Sequence, residues 1–206
     1  MNRDDIKLIT ENIFKLVKEN RDYLLDLDSQ FGDGDLGISM VQGFSGLKDY
    51  LETSEERDLG KLFFKMGMVF NESAPSSLGT IISFWLLGIG GSLKGKENAD
   101  KNDMKIALEN GISKLKERAN SKENEKTILD SLSPATKVFE KNSAEDKAIV
   151  EILKEKNVKI IKPHIGEFAT SMEMGGLSIT IFKLNEKTKK LLLKEAITPF
   201  YTNVNK

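Results

Sequence analysis

The sequence predicts an all-α protein: about eight helices in one domain spanning residues 1–206. Three observations carry this. Apolar residues recur three and four positions apart through most of the chain. Only four prolines interrupt them. Only one short segment, Leu177–Leu184, alternates in the manner of a strand.

The elements follow in order. Ile6, Ile9, Ile13, Leu16 and Val17 mark a first helix, with Asp4 or Asp5 as its cap. The glycine- and aspartate-rich stretch "LDSQFGDGDLGISM" (27–40) opens a second, "LGISMVQGFSGLKDYLETS". "RDLGKLFFKMGMVFNES", "SSLGTIISFWLLGIGGSL", "NDMKIALENGISKLKERAN", "KTILDSLSPATKVFEKN" and "AEDKAIVEILKEKN" continue the helical period. "LSITIFKL" (177–184) alternates, but a lone strand has no neighbour to pair with, so it is expected to be helical. "KGKENADKND" (94–103) is the most polar loop and needs no domain boundary. No repeat or low-complexity tract is present.

Composition excludes several classes. A formal net charge of −1 provides no basic field for nucleic acid. No cysteine is present, so disulfides and thiolate metal sites are excluded, which fits a reducing cytoplasm. The N-terminus "MNRDDIKLITENIFKLVKEN" intersperses charges among its apolar residues, unlike a signal peptide. The run "IISFWLLGIGG" is too short to span a bilayer, so no membrane partner is expected.

Three places could carry chemistry. In the first, Asp28, Asp33 and Asp35 stand close in sequence, with Gly34 free to take a positive φ. Hard carboxylate oxygens suit Mg²⁺ or Ca²⁺. The EF-hand register fails: counted from Asp26, Phe31 falls where glycine is needed and Gly37 where glutamate is needed. The alternative is a helix start rich in acidic caps. In the second, "GGSLKGKE" (90–97) matches the phosphate-loop glycines and lysine, but Glu97 stands where Ser or Thr must reach Mg²⁺. It reads as a helix C-terminus stopped by glycines. The third is His164, the only histidine, which has no acid–base partner nameable from sequence.

With those residues in view, the chain resembles the ADP-binding L subunits of the dihydroxyacetone kinases (DhaL). That family's metal motif runs D-x-x-x-x-D-x-D-H-G-x-N-M, and Asp28, Asp33, Asp35, Gly37 and Met40 stand at matching places. "SAPSSLGT" (73–80) resembles its small-residue loop, and "EKTILDSLSPA" (125–135) its D-K-T-M-L-D-A-L-x-P-A block. The resemblance implies a closed barrel of about eight antiparallel helices. It implies a phosphotransferase of the glycerone kinase type, with ADP/ATP held by two Mg²⁺ ions on Asp28, Asp33 and Asp35. Gly37, Ser39, Ser73, Ala74, Ser76, Thr127 and Gly176 would surround the nucleotide. The resemblance calls for no catalytic residue beyond the metal ligands. It implies two partners: a K subunit that binds dihydroxyacetone and an M subunit that supplies the phosphoryl group.

This sequence departs from the pattern in places. The family histidine is Leu36 and its asparagine is Ser39. The phosphate-loop serine falls on Ala74. In "IGEFATSMEMGGLS", Gly166, Glu167 and Gly176 match, but the family arginine is Phe168 and its aspartate is Met174. Lys162 is the nearest cation that could replace the arginine. These departures favour two alternatives to the dihydroxyacetone reading: a non-catalytic regulator, or a kinase subunit for another small substrate carried by a partner.

Overall fold

Helix α1 (Arg3–Glu19) begins at Asn2, whose side chain accepts from the amides of Asp4 and Asp5 at 2.9 and 3.1 Å. Asp5 accepts in return from the Asn2 amide at 2.9 Å, closing a capping box. The cap is thus Asn2, two or three residues before the expected aspartates. Ile6, Thr10, Ile13 and Val17 form the buried stripe. In this computed structural model, residues 1–29, 32–125 and 127–143 are described. The helix expected over residues 144–157, the Leu177–Leu184 segment, Lys162, His164, Gly166, Glu167, Phe168, Met174 and Gly176 lie outside them.

Seven helices are present among the described residues, and no strand. A short α2 (Arg21–Ser29), which the period left unassigned, follows α1 directly. Then come α3 (Leu36–Thr53), α4 (Leu59–Ser73), α5 (Ser77–Ser92), α6 (Lys101–Ala119) and α7 (Leu129–Ser143). Five of these begin and end within three residues of the expected spans.

Consecutive helices pack on each other from α3 through α7, and α1 lies against α3. The directions follow from paired residues. The start of α4 bonds the chain leaving α5, through Gly60 N–H to Leu93 carbonyl (3.1 Å) and Leu59 N–H to Lys96 carbonyl (2.7 Å). On α6 and α7, Lys105 pairs with Glu140 at 3.1 Å. Arg3, at the start of α1, donates to the Leu51 carbonyl near the end of α3 at 3.0 Å. The order is therefore antiparallel, and the N-terminal ends of α3, α5 and α7 share one end of the bundle.

The core lies along the bundle axis. Met40, Leu47, Leu62, Phe70, Ile89, Leu115 and Leu129 are almost wholly buried, and Phe44 meets Phe70 edge to face with centroids 5.1 Å apart. An apolar cavity of about 80 Å³ remains between α1 and the other long helices, lined by Ile13, Phe44, Trp85 and Leu108 among others.

The phosphate-loop resemblance at residues 90–97 does not survive. Helix α5, not a strand, runs into it and ends at Ser92, and Gly95 takes φ +81°. The polar loop beyond is anchored. Gly95 N–H donates to Asp58 at 3.0 Å, and the N-terminal ammonium donates to the Ala99 carbonyl at 2.7 Å.

Candidate metal and phosphate site

Helix α2 delivers Asp28 to the start of α3. Asp28 is 8% exposed, and its Oδ2 accepts from the amides of Asp35 (3.0 Å) and Leu36 (3.2 Å). The Gly32 amide closes the turn by donating to the Asp28 carbonyl at 2.6 Å. Gly34, at φ +73°, supplies the left-handed step that a side chain would resist. The loop then aims Asp33 and Asp35 at Asp28. Each of the three offers a carboxylate oxygen within 4.8 Å of the others, Asp28 buried and the other two exposed.

The arrangement bears on the choice posed by the sequence between a cation loop and an acidic helix start. Asp35 occupies the N-cap position of α3 yet makes no cap hydrogen bond. Asp28 caps α3 from the neighbouring helix instead. Asp33 and Asp35 are left with oxygens free of capping duty, in a cluster of like charge. The electrostatic strain is visible at Asp35. Desolvation raises its pKa first, then the charges of Asp33 and Asp28; a hydrogen bond from the Ser39 hydroxyl acts the other way. Among the described residues no ion pair reaches these three carboxylates, and clustered carboxylate oxygens are the donor type a hard divalent cation takes, so these residues fit Mg²⁺.

The other expected residues do different work. Gly37 is buried under α2, where a Cβ would run into the Arg21 carbonyl, so it permits helix contact. Ser39 is buried and serves Asp35. Ser73 ends α4, with its side chain against Gly46 of α3, and Ala74 is fully buried at the α4 C-cap. Ser76 caps α5 by accepting from the Gly79 amide at 3.0 Å. Thr127 sits at the start of α7: its amide donates to Asp130 at 3.0 Å, and its hydroxyl accepts from the Leu129 amide at 3.3 Å. The antiparallel order brings the three loops carrying these residues to the same end of the bundle. Three helix N-termini there favour an anion.

Two contributors were not anticipated. Asp130 also accepts from the Asn124 amide and so pins the loop before α7; the T-x-x-D spacing of Thr127 and Asp130 is a capping signature that could have shown it. Glu123 accepts from the Lys116 ammonium at 2.7 Å, which pulls its pKa down to about 2. Its partner is seven residues away around a helix end, a distance no local pattern flags.

Residues 30–160 match the DAK2 domain. The chain belongs to the DAK2 domain family. Within it the chain is of DhaL type. It is 29% identical over 147 residues to the ADP-binding subunit DhaL of a PEP-dependent dihydroxyacetone kinase of Listeria innocua, covering 71% of this chain and 74% of that protein. The fold is that of the dihydroxyacetone kinase of C. freundii solved with AMP-PNP and Mg²⁺: TM-score 0.60 at 18% identity, over 95% of this chain and 33% of that one. The all-α expectation is thereby met among the described residues. A further match is of another kind. Over 51 residues, a quarter of this chain, it is 49% identical to a dihydroxyacetone-binding subunit DhaK of L. innocua, of which those residues make up 15%. Among the described residues, no helix is long and apolar enough to cross a membrane.

Proposed function

We propose that this chain is the ADP- and Mg²⁺-binding subunit of a dihydroxyacetone kinase. It would pass a phosphoryl group through bound ADP/ATP to dihydroxyacetone held on a partner K subunit, with an M subunit as phosphoryl donor, in the cytoplasm. The single observation that carries the reading is the convergence of Asp28, Asp33 and Asp35 within 4.8 Å at the start of α3.

Asp33 and Asp35 would hold the metal, two ions at full occupancy, and Asp28 would complete the set while fixing the helix start. When bound, Mg²⁺ would neutralise charge on the nucleotide's phosphate oxygens as the phosphoryl group passes to an acceptor hydroxyl. The chain's own part is positioning. The Asp28 bonds to the Asp35 and Leu36 amides lock the loop before any ligand arrives. The caps at Ser76 and Thr127 fix the starts of α5 and α7 beside it. No side chain of this subunit needs to form a covalent intermediate.

Calorimetry with ADP and Mg²⁺ tests the reading. Mg²⁺-dependent ADP binding is expected in the chain as it stands and is expected to be lost in both Asp33→Asn and Asp35→Asn. Unchanged affinity in both variants refutes the site. No binding at millimolar ligand points to a non-catalytic relative.

A further inference from the structure

We infer that the chain changes kinship near its end: a stretch of about fifty residues that takes in residues 161–206 is of the dihydroxyacetone-binding-subunit type, joined to a DAK2 bundle of the ADP-binding type. The nucleotide part of the inference rests on the function proposed above; the kinship part does not.

The first observation is one of space. The DAK2 match leaves residues 1–29 and 161–206 outside it. The DhaK-type match needs 51 residues. Residues 1–29 fall far short, and they already form α1 and α2, packed on α3 as part of the bundle, whereas residues 161–206 number 46 and hold the match with an overlap of about five residues into the DAK2 match. The second is similarity. The 51-residue match reaches 49% identity, against 29% for the ADP-binding subunit over 147 residues. A stretch that had drifted within the DAK2 family would be less like other kinase subunits, not more. The third is the sequence period. From α1 to α7 apolar residues recur at helical spacing, whereas "LSITIFKL" alternates and places Ile179, Thr180 and Ile181 in a β-rich run. No strand occurs among the described residues, so the bundle they form has no sheet that would have selected such a run.

Two consequences follow. Gly166, Glu167 and Gly176 then belong to the joined stretch rather than to a segment covering the nucleotide. The absence of the family arginine at Phe168 and aspartate at Met174 is then no drift of a nucleotide site, because those positions never were one. The nucleotide would be contacted from the loops before α3, α5 and α7 alone.

The test is backbone NMR of the full chain, with amide exchange measured with and without Mg·ADP. Extended chemical shifts are expected across Leu177–Leu184, with Mg·ADP slowing exchange near Asp28–Ser39, Ser73–Thr80 or Ser121–Asp130 and nowhere after residue 160. Helical shifts across Leu177–Leu184 overturn the inference, as does Mg·ADP protection between Gly166 and Gly176. If Mg·ADP protects no amide anywhere, the proposed function fails, and the shifts still decide the kinship.

Discussion

Asp28 does two jobs, and three substitutions separate them. Its Oδ2 accepts two amides at the first turn of α3, at 3.0 and 3.2 Å, from a buried position. Hydrogen bonds to a charged acceptor contribute about 1.5–3 kcal/mol each, so Asp28→Ala forfeits about 3–6 kcal/mol of capping. The same change relieves repulsion from Asp33 and Asp35, whose carboxylate oxygens lie within 4.8 Å. In a water-like dielectric each such pair costs about 1 kcal/mol. The net expectation without cation is a loss of about 1–4 kcal/mol. Asp28→Asn keeps an acceptor oxygen at about 1 kcal/mol per neutral bond and gains the same relief, so its stability should lie between about 1 kcal/mol above and about 2 kcal/mol below the parent. Asp33→Asn, exposed and without a capping role, should be neutral or stabilising by up to about 2 kcal/mol, since it relieves two such pairs. Urea unfolding in a chelator should therefore rank Asp33→Asn at or above the parent, Asp28→Asn next, and Asp28→Ala last. Adding Mg²⁺ at about a hundredfold over its dissociation constant should raise the parent by about 2.7 kcal/mol and the three variants by much less. An Asp28→Ala protein as stable as the parent in chelator would show that the two amide bonds hold nothing. Equal Mg²⁺ stabilisation of all four proteins would dissolve the shared site.

Three more outcomes are expected. The folded-state pKa of Asp35 lies above its unfolded value, so without cation its ionisation costs stability as pH rises through that window. The Mg²⁺-induced rise in Tm should correspondingly shrink as pH falls through the same window; an undiminished rise in acid would place the cation elsewhere. Glu123, held down to about 2 by Lys116, contributes stability that is present above the ordinary glutamate pKa of 4.5 and is lost as pH falls from there toward 2. A shift of that size corresponds to about 3 kcal/mol at most. With the side chain 30% exposed, screening lowers this to about 1–2 kcal/mol, and urea titrations of Glu123→Gln and parent should converge in acid. Gly79→Ala puts a Cβ onto the Ala74 carbonyl in the tight turn between α4 and α5; thermal unfolding should show a loss of about 1–3 kcal/mol, and an unchanged Tm would mean the turn is not tight.

The sequence by itself determined the helical class, the spans of α1 and α3–α7, and the identity of the three aspartates. Each of these is local information. A helical stripe repeats every three or four residues, and an acidic loop whose three carboxylates lie within eight positions carries its own spacing. The helix stop at residues 90–97 was legible for the same reason, because Glu97 spoils the phosphate loop within the motif. Only the tertiary structure decided what each residue does. Asp28 caps a helix it does not belong to, since a carboxylate seven residues upstream reaches the Asp35 amide only once α2 folds back on α3. Gly37, expected beside the nucleotide, is small because α2 crosses above it. Ser39 and Ser76 spend their hydroxyls on Asp35 and on the Gly79 amide. Asn2 took the cap from Asp4 and Asp5 because the first amides of a helix are satisfied from the residue before its first turn, a shift of two or three positions that the apolar period does not resolve. Sequence spacing names the groups available for chemistry. How much of each group's bonding capacity is left for a ligand is set by contacts between helices, and these form only in the folded bundle.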